Sequence, residues 1–185
     1  MESEFNLELF DIRLDTNEIA RNFIYSEEVT STNTLLLDKS IATIHGTTLL
    51  AEKQLKGHGR KERLWYSMKG MNLTFSVLLT NKKYFNKHFN LLNFAAGVTI
   101  ALSLESLFQF KTELKWPNDV LINGKKVSGV LIESASRGEK IERVVIGFGL
   151  NVNQNIFQGN FNLTPTSVKN ETGLTVEREM LLAEV

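Results

Sequence analysis

Hydrophobic and polar positions along the 185-residue chain follow two periods, and the switches between them mark out the predicted elements. Over residues 71–80 the period is two. Leu73, Phe75, Val77 and Leu79 fall on one side and Asn72, Thr74 and Ser76 on the other, which predicts a half-buried strand. Over residues 88–110 the spacing becomes helical. Leu91, Leu92, Ala95, Val98, Leu102 and Leu107 form a broad apolar stripe against the sheet, so this is the expected principal helix. Further strands are predicted over residues 22–27, 47–53, 113–122, 126–134 and 141–152, with Asn123-Gly124 supplying the positive φ angles of a type I′ hairpin. Ser31 or Thr32 offers a hydroxyl N-cap for a short helix through Leu35, Leu36 and Leu37, and residues 176–185 begin another helix. Residues 54–65 and 153–165 read as loops. Residues 1–21 are a weakly periodic lead-in, loose or paired as an edge element, ahead of one domain over residues 22–185. Strands joined through hairpins, with helices grouped separately, predict an α+β fold.

Composition narrows the chemistry. At 42% hydrophobic the chain buries one sizeable core. Lys+Arg and Asp+Glu both number 21, so no global field draws nucleic acid and any positive patch is local. The absence of cysteine excludes disulfides, thiolate metal sites and cysteine nucleophiles. His45, His58 and His88 have no zinc-like spacing and no acid or nucleophile at telling distance. The acidic start lacks a secretory pattern, and no apolar run approaches a membrane span, so a soluble, cytoplasmic protein is expected.

Three local constellations carry the candidate chemistry. The loop at residues 54–65 gathers Lys56, Arg60, Lys61 and Arg63 against Glu62, between Gly57, Gly59 and a terminal Trp65. Glycines let backbone amides approach an anion, guanidinium forks suit carboxylate and phosphate, and the indole is placed to close over a ligand. A solvated, mobile charged loop has the same composition. In Lys115-Trp116-Pro117-Asn118-Asp119 a proline interrupts a β-like run and presents a cation beside polar groups, although a core Trp followed by a turn reads the same way. Ser31-Thr32-Asn33 is at once a helix cap and a set of donors and acceptors for a small polar heterocycle. Gly147-Phe148-Gly149-Leu150-Asn151 implies close approach of a ligand or of another backbone. Walker, dinucleotide-binding and nucleophile-elbow patterns are all absent.

In order and spacing, Ser31-Thr32-Asn33, Ala51-Glu52-Lys53-Gln54 with the loop through Trp65, Lys115-Trp116-Pro117-Asn118-Asp119, the stretch from Gly124-Lys125-Lys126 to Glu133, and Gly147 to Asn151 resemble the biotin protein ligase family. The resemblance covers about residues 23–153. It implies a class II aminoacyl-tRNA synthetase-like fold: a mixed, largely antiparallel sheet with helices packed on one face. It implies ATP-dependent activation of biotin to biotinyl-5′-AMP, with Mg²⁺, and transfer to a lysine of a biotin carboxyl carrier domain. Biotin would be contacted by Ser31, Thr32, Asn33, Gln54, Gly57, His58, Gly59, Arg60 and Lys115, with Lys115 and Arg60 catalytic. ATP and the adenylate would meet Arg63, Trp65, Asn118 and Asn151. No nucleic-acid or membrane partner is implied, and homodimerisation through sheet edges is left open. His58 and Glu62 depart from the family's Gly-Arg-Gly-Arg-type loop. The repressor-type winged helix and the small C-terminal β-barrel are not expected within these residues, and the uncapped helix at Val185 reads as a shortened end. The alternatives are a lipoate or octanoate ligase of the same fold, or a biotin-binding remnant without turnover.

Overall fold

The computed structural model describes residues 4–85 and 89–185 and is organised around one seven-stranded sheet, in the order β1-β2-β3-β7-β6-β5-β4. The strands are β1 (Phe23–Val29), β2 (Thr48–Gln54), β3 (Leu73–Leu79), β4 (Thr112–Lys115), β5 (Asp119–Ile122), β6 (Lys125–Arg137) and β7 (Lys140–Leu150). Only the β1–β2 pair is parallel; β2–β3, β3–β7, β7–β6, β6–β5 and β5–β4 are antiparallel. Asn123 and Gly124, at φ 52° and 71°, make the predicted two-residue turn between β5 and β6.

Helices α1 (Leu7–Arg13), α3 (Leu92–Phe108) and α5 (Arg178–Glu184) join one core with Phe75, Val77, Ile146 and Phe148 of the sheet. The short α2 (Thr32–Leu37) covers the other face, where Leu36 packs with Leu49, Leu78 and Val145. A fifth helix, α4 (Val168–Thr172), follows the 153–165 segment. Arg143 of β7 anchors α2. Almost fully buried, it donates to the carbonyls of Leu36 and Leu37, which α2 itself leaves without intrahelical donors, and to that of Ala42 beyond the helix. Burial of α5 is fixed by an ion pair: Arg178 reaches both oxygens of Glu52 at 2.6 and 2.9 Å, and Tyr25 donates to the same carboxylate. Burial and this bond to a carboxylate push the Tyr25 phenol up to about 12.

Four expectations change. β3 is buried on both faces, because α2 roofs the polar side that alternation assigned to solvent. The run at 113–122 is two strands: Trp116-Pro117-Asn118 turns the chain so that Lys115 pairs with Asp119. The lead-in is a helix capped by the Asn6 side chain, with Phe5, Phe10 and Leu14 in the main core. Finally, α3 buries Ala96, Gly97, Ile100, Ala101 and Leu104, leaving Leu91 and Leu102 exposed. A helix that is apolar nearly all round gives periodicity no single face to choose, and small residues win because they let it lie close to the sheet, with Gly97 against Leu114. The start of the predicted 88–110 helix, with His88, lies outside the described residues.

Candidate active site

Two glycines on β7 create the site. Gly147 pairs with Ser76 of β3 on one side and Leu131 of β6 on the other, and a Cβ there would lie 2.2 Å from Asn33 Oδ1. The bare backbone therefore seats the Asn33 side chain on the sheet. Ser76 Oγ donates to Asn33 Oδ1 at 2.6 Å, and Asn33 Nδ2 donates to Leu131 O at 3.2 Å and to Glu133 Oε2 at 2.8 Å. Two residues on, Gly149 pairs with Thr74 and Gly129, and a Cβ there would lie 2.2 Å from the Trp65 ring. A strand with side chains at 147 and 149 on this face has room for neither.

Around these seats lies a cavity of about 490 Å³, within the roughly 300–1,000 Å³ usual for small-molecule sites. At the Gly147 end it is lined by Ser31, Thr32, Asn33 and Gln54. Ser31 is the N-cap of α2, accepting from Thr34 N, and Gln54 Oε1 accepts from Thr32 N at 2.7 Å and lies 3.0 Å from Thr32 Oγ1. Loop residues His58, Gly59, Arg60 and Arg63 also line it. The loop is a miniature hairpin: Gly59 N donates to Arg63 O at 2.7 Å and Trp65 N to Gly57 O at 3.0 Å. Gly57 itself is buried at the loop's base, outside the cavity lining.

Towards Gly149 the lining is Trp65, Asn118, Asp119, Lys126 and Asn151. Asn118 ties the β4–β5 turn to β6 through Val130 O at 2.7 Å, and Asn151 Nδ2 donates to Thr166 O at 2.9 Å. Trp65 Nε1, Thr74 Oγ1 and Asn151 Oδ1 are buried with no hydrogen-bond partner among the described residues, so three lining residues hold polar atoms that a ligand would satisfy.

The sequence expectation places Arg60 and Lys115 together, and of the two Arg60 lines the cavity. Lys115 is exposed at the end of the outermost strand and is not part of the cavity lining. Lys126 does line it: Nζ is 2.6 Å from Asp119 Oδ1 and 5.5 Å from the centroid of the Trp65 ring. Lys125 and Lys126 are adjacent in sequence, but strand alternation sends the first to Glu171, at 3.1 Å, and the second to the cavity. Which of the two faces inward is decided by the pairing of β6, and periodicity of a polar pair carries no such signal. The segment holding Phe157, Phe161, Asn162 and Pro165 was also missed. It has no period of its own and is held in place because Lys126 N donates to Thr164 O and Thr166 N to Lys126 O, both at 2.8 Å.

A mixed sheet whose bared strand seats an amide and an indole beside three cationic side chains defines a domain with a cavity chemically suited to a small anion. The chain belongs to the biotin/lipoate A/B protein ligase family, whose sequence profile matches residues 25–151. The bifunctional ligase/repressor BirA of Bacillus subtilis (strain 168) is 31% identical over 175 residues, 93% of this chain and 54% of that protein. The biotin–[acetyl-CoA-carboxylase] ligase of Paracoccus denitrificans is 32% identical over 157 residues, 82% of this chain and 65% of that one. Among solved structures, the biotin protein ligase from Aquifex aeolicus in complex with biotin and ATP superposes with a TM-score of 0.78 at 35% identity, covering 89% of this chain and 66% of that one. The chain thus spans about half to two thirds of the length of these relatives. Among the described residues, no helix is long and apolar enough to cross a membrane.

Proposed function

We propose that the cavity binds biotin beside ATP, joins the biotin carboxylate to AMP, and passes the biotinyl group to a lysine of a biotin carboxyl carrier domain. The observation that carries this reading is the gathering of Arg60, Arg63 and Lys126 around one cavity whose Gly147 end is lined by hydroxyl and amide groups. Those neutral donors and acceptors suit an uncharged polar ring, and the cations suit carboxylate and phosphate. The relatives at 32 and 35% identity are named for biotin, which favours it over lipoate.

In the first step a carboxylate oxygen bonds to the α-phosphorus as the bond to pyrophosphate breaks. Two anions must meet, so the barrier falls where fixed cations face the developing charge. Lys126 is so fixed by Asp119 and Trp65, and Arg60 and Arg63 line the same space. In the second step the lysine amine attacks the carbonyl carbon of the mixed anhydride, AMP departs, and the nitrogen loses a proton. Water would destroy that anhydride. Trp65 and the 157–163 segment supply the covering walls that keep it out. No cluster of three acidic or histidine ligands exists among the described residues, and Asp119 is the one carboxylate among the described lining residues. This donor set fits Mg²⁺ that arrives on the triphosphate, where it would neutralise phosphate charge.

The test is pyrophosphate release on adding biotin and ATP, followed by transfer of labelled biotin to a carrier-domain lysine, with lipoate as the control acid. Release with biotin alone and label on the carrier are expected. Release with lipoate, or biotin binding without release, overturns the assignment.

A further inference from the structure

The polar groups at the Gly147 end of the cavity form a chain that continues behind its wall. Gln54 Oε1 accepts from Thr32 N, which leaves the Thr32 hydroxyl for Ser76 Oγ at 2.7 Å; Ser76 then donates to Asn33 Oδ1, and Asn33 Nδ2 to Glu133 Oε2. The other oxygen, Glu133 Oε1, is 3.6 Å from His58 Nε2. His58 lies four residues beyond Gln54 in the loop, so the path closes into a ring across β2, α2, β3, β6 and the loop. Glu133 is the one member of this ring, besides Ser76, that does not line the cavity. His58 Nδ1 is 3.2 Å from Lys56 O, so the ring is held between that carbonyl and the Glu133 carboxylate.

We propose that Glu133 is a positioning residue of this site: one carboxylate oxygen fixes Asn33 and the other docks the loop through His58, so that grip on a ligand at Asn33 and closure of the loop rise and fall together. The inference deepens the reading of the cavity as a biotin site, and its loop arm stands without any ligand. A carboxylate is required. Glutamine at 133 still accepts from Asn33 with its oxygen but turns a donor amide towards His58, a donor facing a donor. Aspartate is one methylene too short to reach both sides. The side chain is partly exposed, so its worth lies in geometry more than in Coulomb attraction.

The experiment uses the whole chain and compares wild type, Glu133→Gln, His58→Ala and the double variant. Without ligand, backbone amide exchange over residues 56–60 is expected to rise about tenfold in each single variant and no further in the double, the factor expected for one lost polar contact. The melting temperature of Glu133→Gln should stay at the wild-type value, because the Asn33 bond is kept. His58→Ala should also shift the Asn33 side-chain amide resonance, because Glu133 touches both residues. With biotin, Glu133→Gln should release the ligand faster by a similar factor. Unchanged exchange in Glu133→Gln, an unmoved Asn33 signal, or effects of the two single variants that multiply would overturn the proposal. If wild type takes up no biotin while the exchange and resonance effects hold, the functional reading fails and the coupling stands.

Discussion

Replacing Gly147 by alanine tests the architecture of the site at one atom. The added methyl would sit 2.2 Å from Asn33 Oδ1 and 2.8 Å from its Cγ, about 0.8 Å inside the 3.0 Å below which such contacts essentially never occur. The strand cannot yield, because Gly147 is paired on both sides, with Ser76 and with Leu131. Asn33 must therefore lift off the sheet. It is 97% buried and would leave the hydroxyl of Ser76, the carbonyl of Leu131 and the carboxylate of Glu133 in part unpaired. Each buried polar group so stranded costs about 1–3 kcal/mol. With one or two of them lost, a total of roughly 2–4 kcal/mol is expected, divided between folding and ligand binding. Calorimetry should then show biotin binding weakened at least about tenfold, and at about 2–4 °C per kcal/mol the melting temperature should fall by several degrees. Gly59→Ala is the control for stability, since its Cβ would meet only Arg63 O at an ordinary 3.7 Å. A Gly147→Ala protein that melts and binds like wild type would show that Asn33 does not occupy this seat in solution.

Three further outcomes are expected. Lys126→Ala should slow biotin-dependent pyrophosphate release by about a hundredfold or more, whereas Lys115→Ala should leave it nearly unchanged; equal losses would return the catalytic cation to the β4 edge. Arg178→Met strands the buried Glu52 carboxylate and should cost about 3–5 kcal/mol in urea unfolding, with part recovered in the Glu52→Gln/Arg178→Met double variant; a loss near zero would mean that Glu52 is hydrated. Burial holds His45 below the usual histidine range despite Glu18 at 3.6 Å, and its Nδ1 accepts from the backbone of Thr80 and Asn81. The unfolded chain therefore takes up this proton first as pH falls, so stability contributed by His45 is present above about pH 6.5 and is lost below it. Urea midpoints measured from pH 8 to 5 should drop more steeply in wild type than in His45→Gln, and parallel curves would discount the effect.

Local rules were enough for much of this molecule. The alternation at 71–80, the hydroxyl before Leu35 and the Asn-Gly pair each act within a few residues, and β3, the Ser31 cap and the β5–β6 turn follow them. The charged glycine loop and the Ser31-Thr32-Asn33 cap, both of which supply lining to the cavity, could be picked out for the same reason: their chemistry is written in adjacent residues. Helix α1, the buried face of α3 and the turn at Trp116-Pro117 were not legible, because each depends on what another part of the chain brings against it.

The amino-acid sequence by itself determined the strand and helix periods, the turn chemistry and the residue types able to hold an acid and a phosphate, all of which are short-range properties. Only the tertiary structure decided which lysine lines the cavity, why residues 147 and 149 carry no side chain, and how the 157–165 segment becomes a wall. The physical reason is register: β3, β7 and β6 must first pair before Ser76, Gly147 and Leu131 line up beneath Asn33, and before Lys126 turns inward while Lys125 turns away.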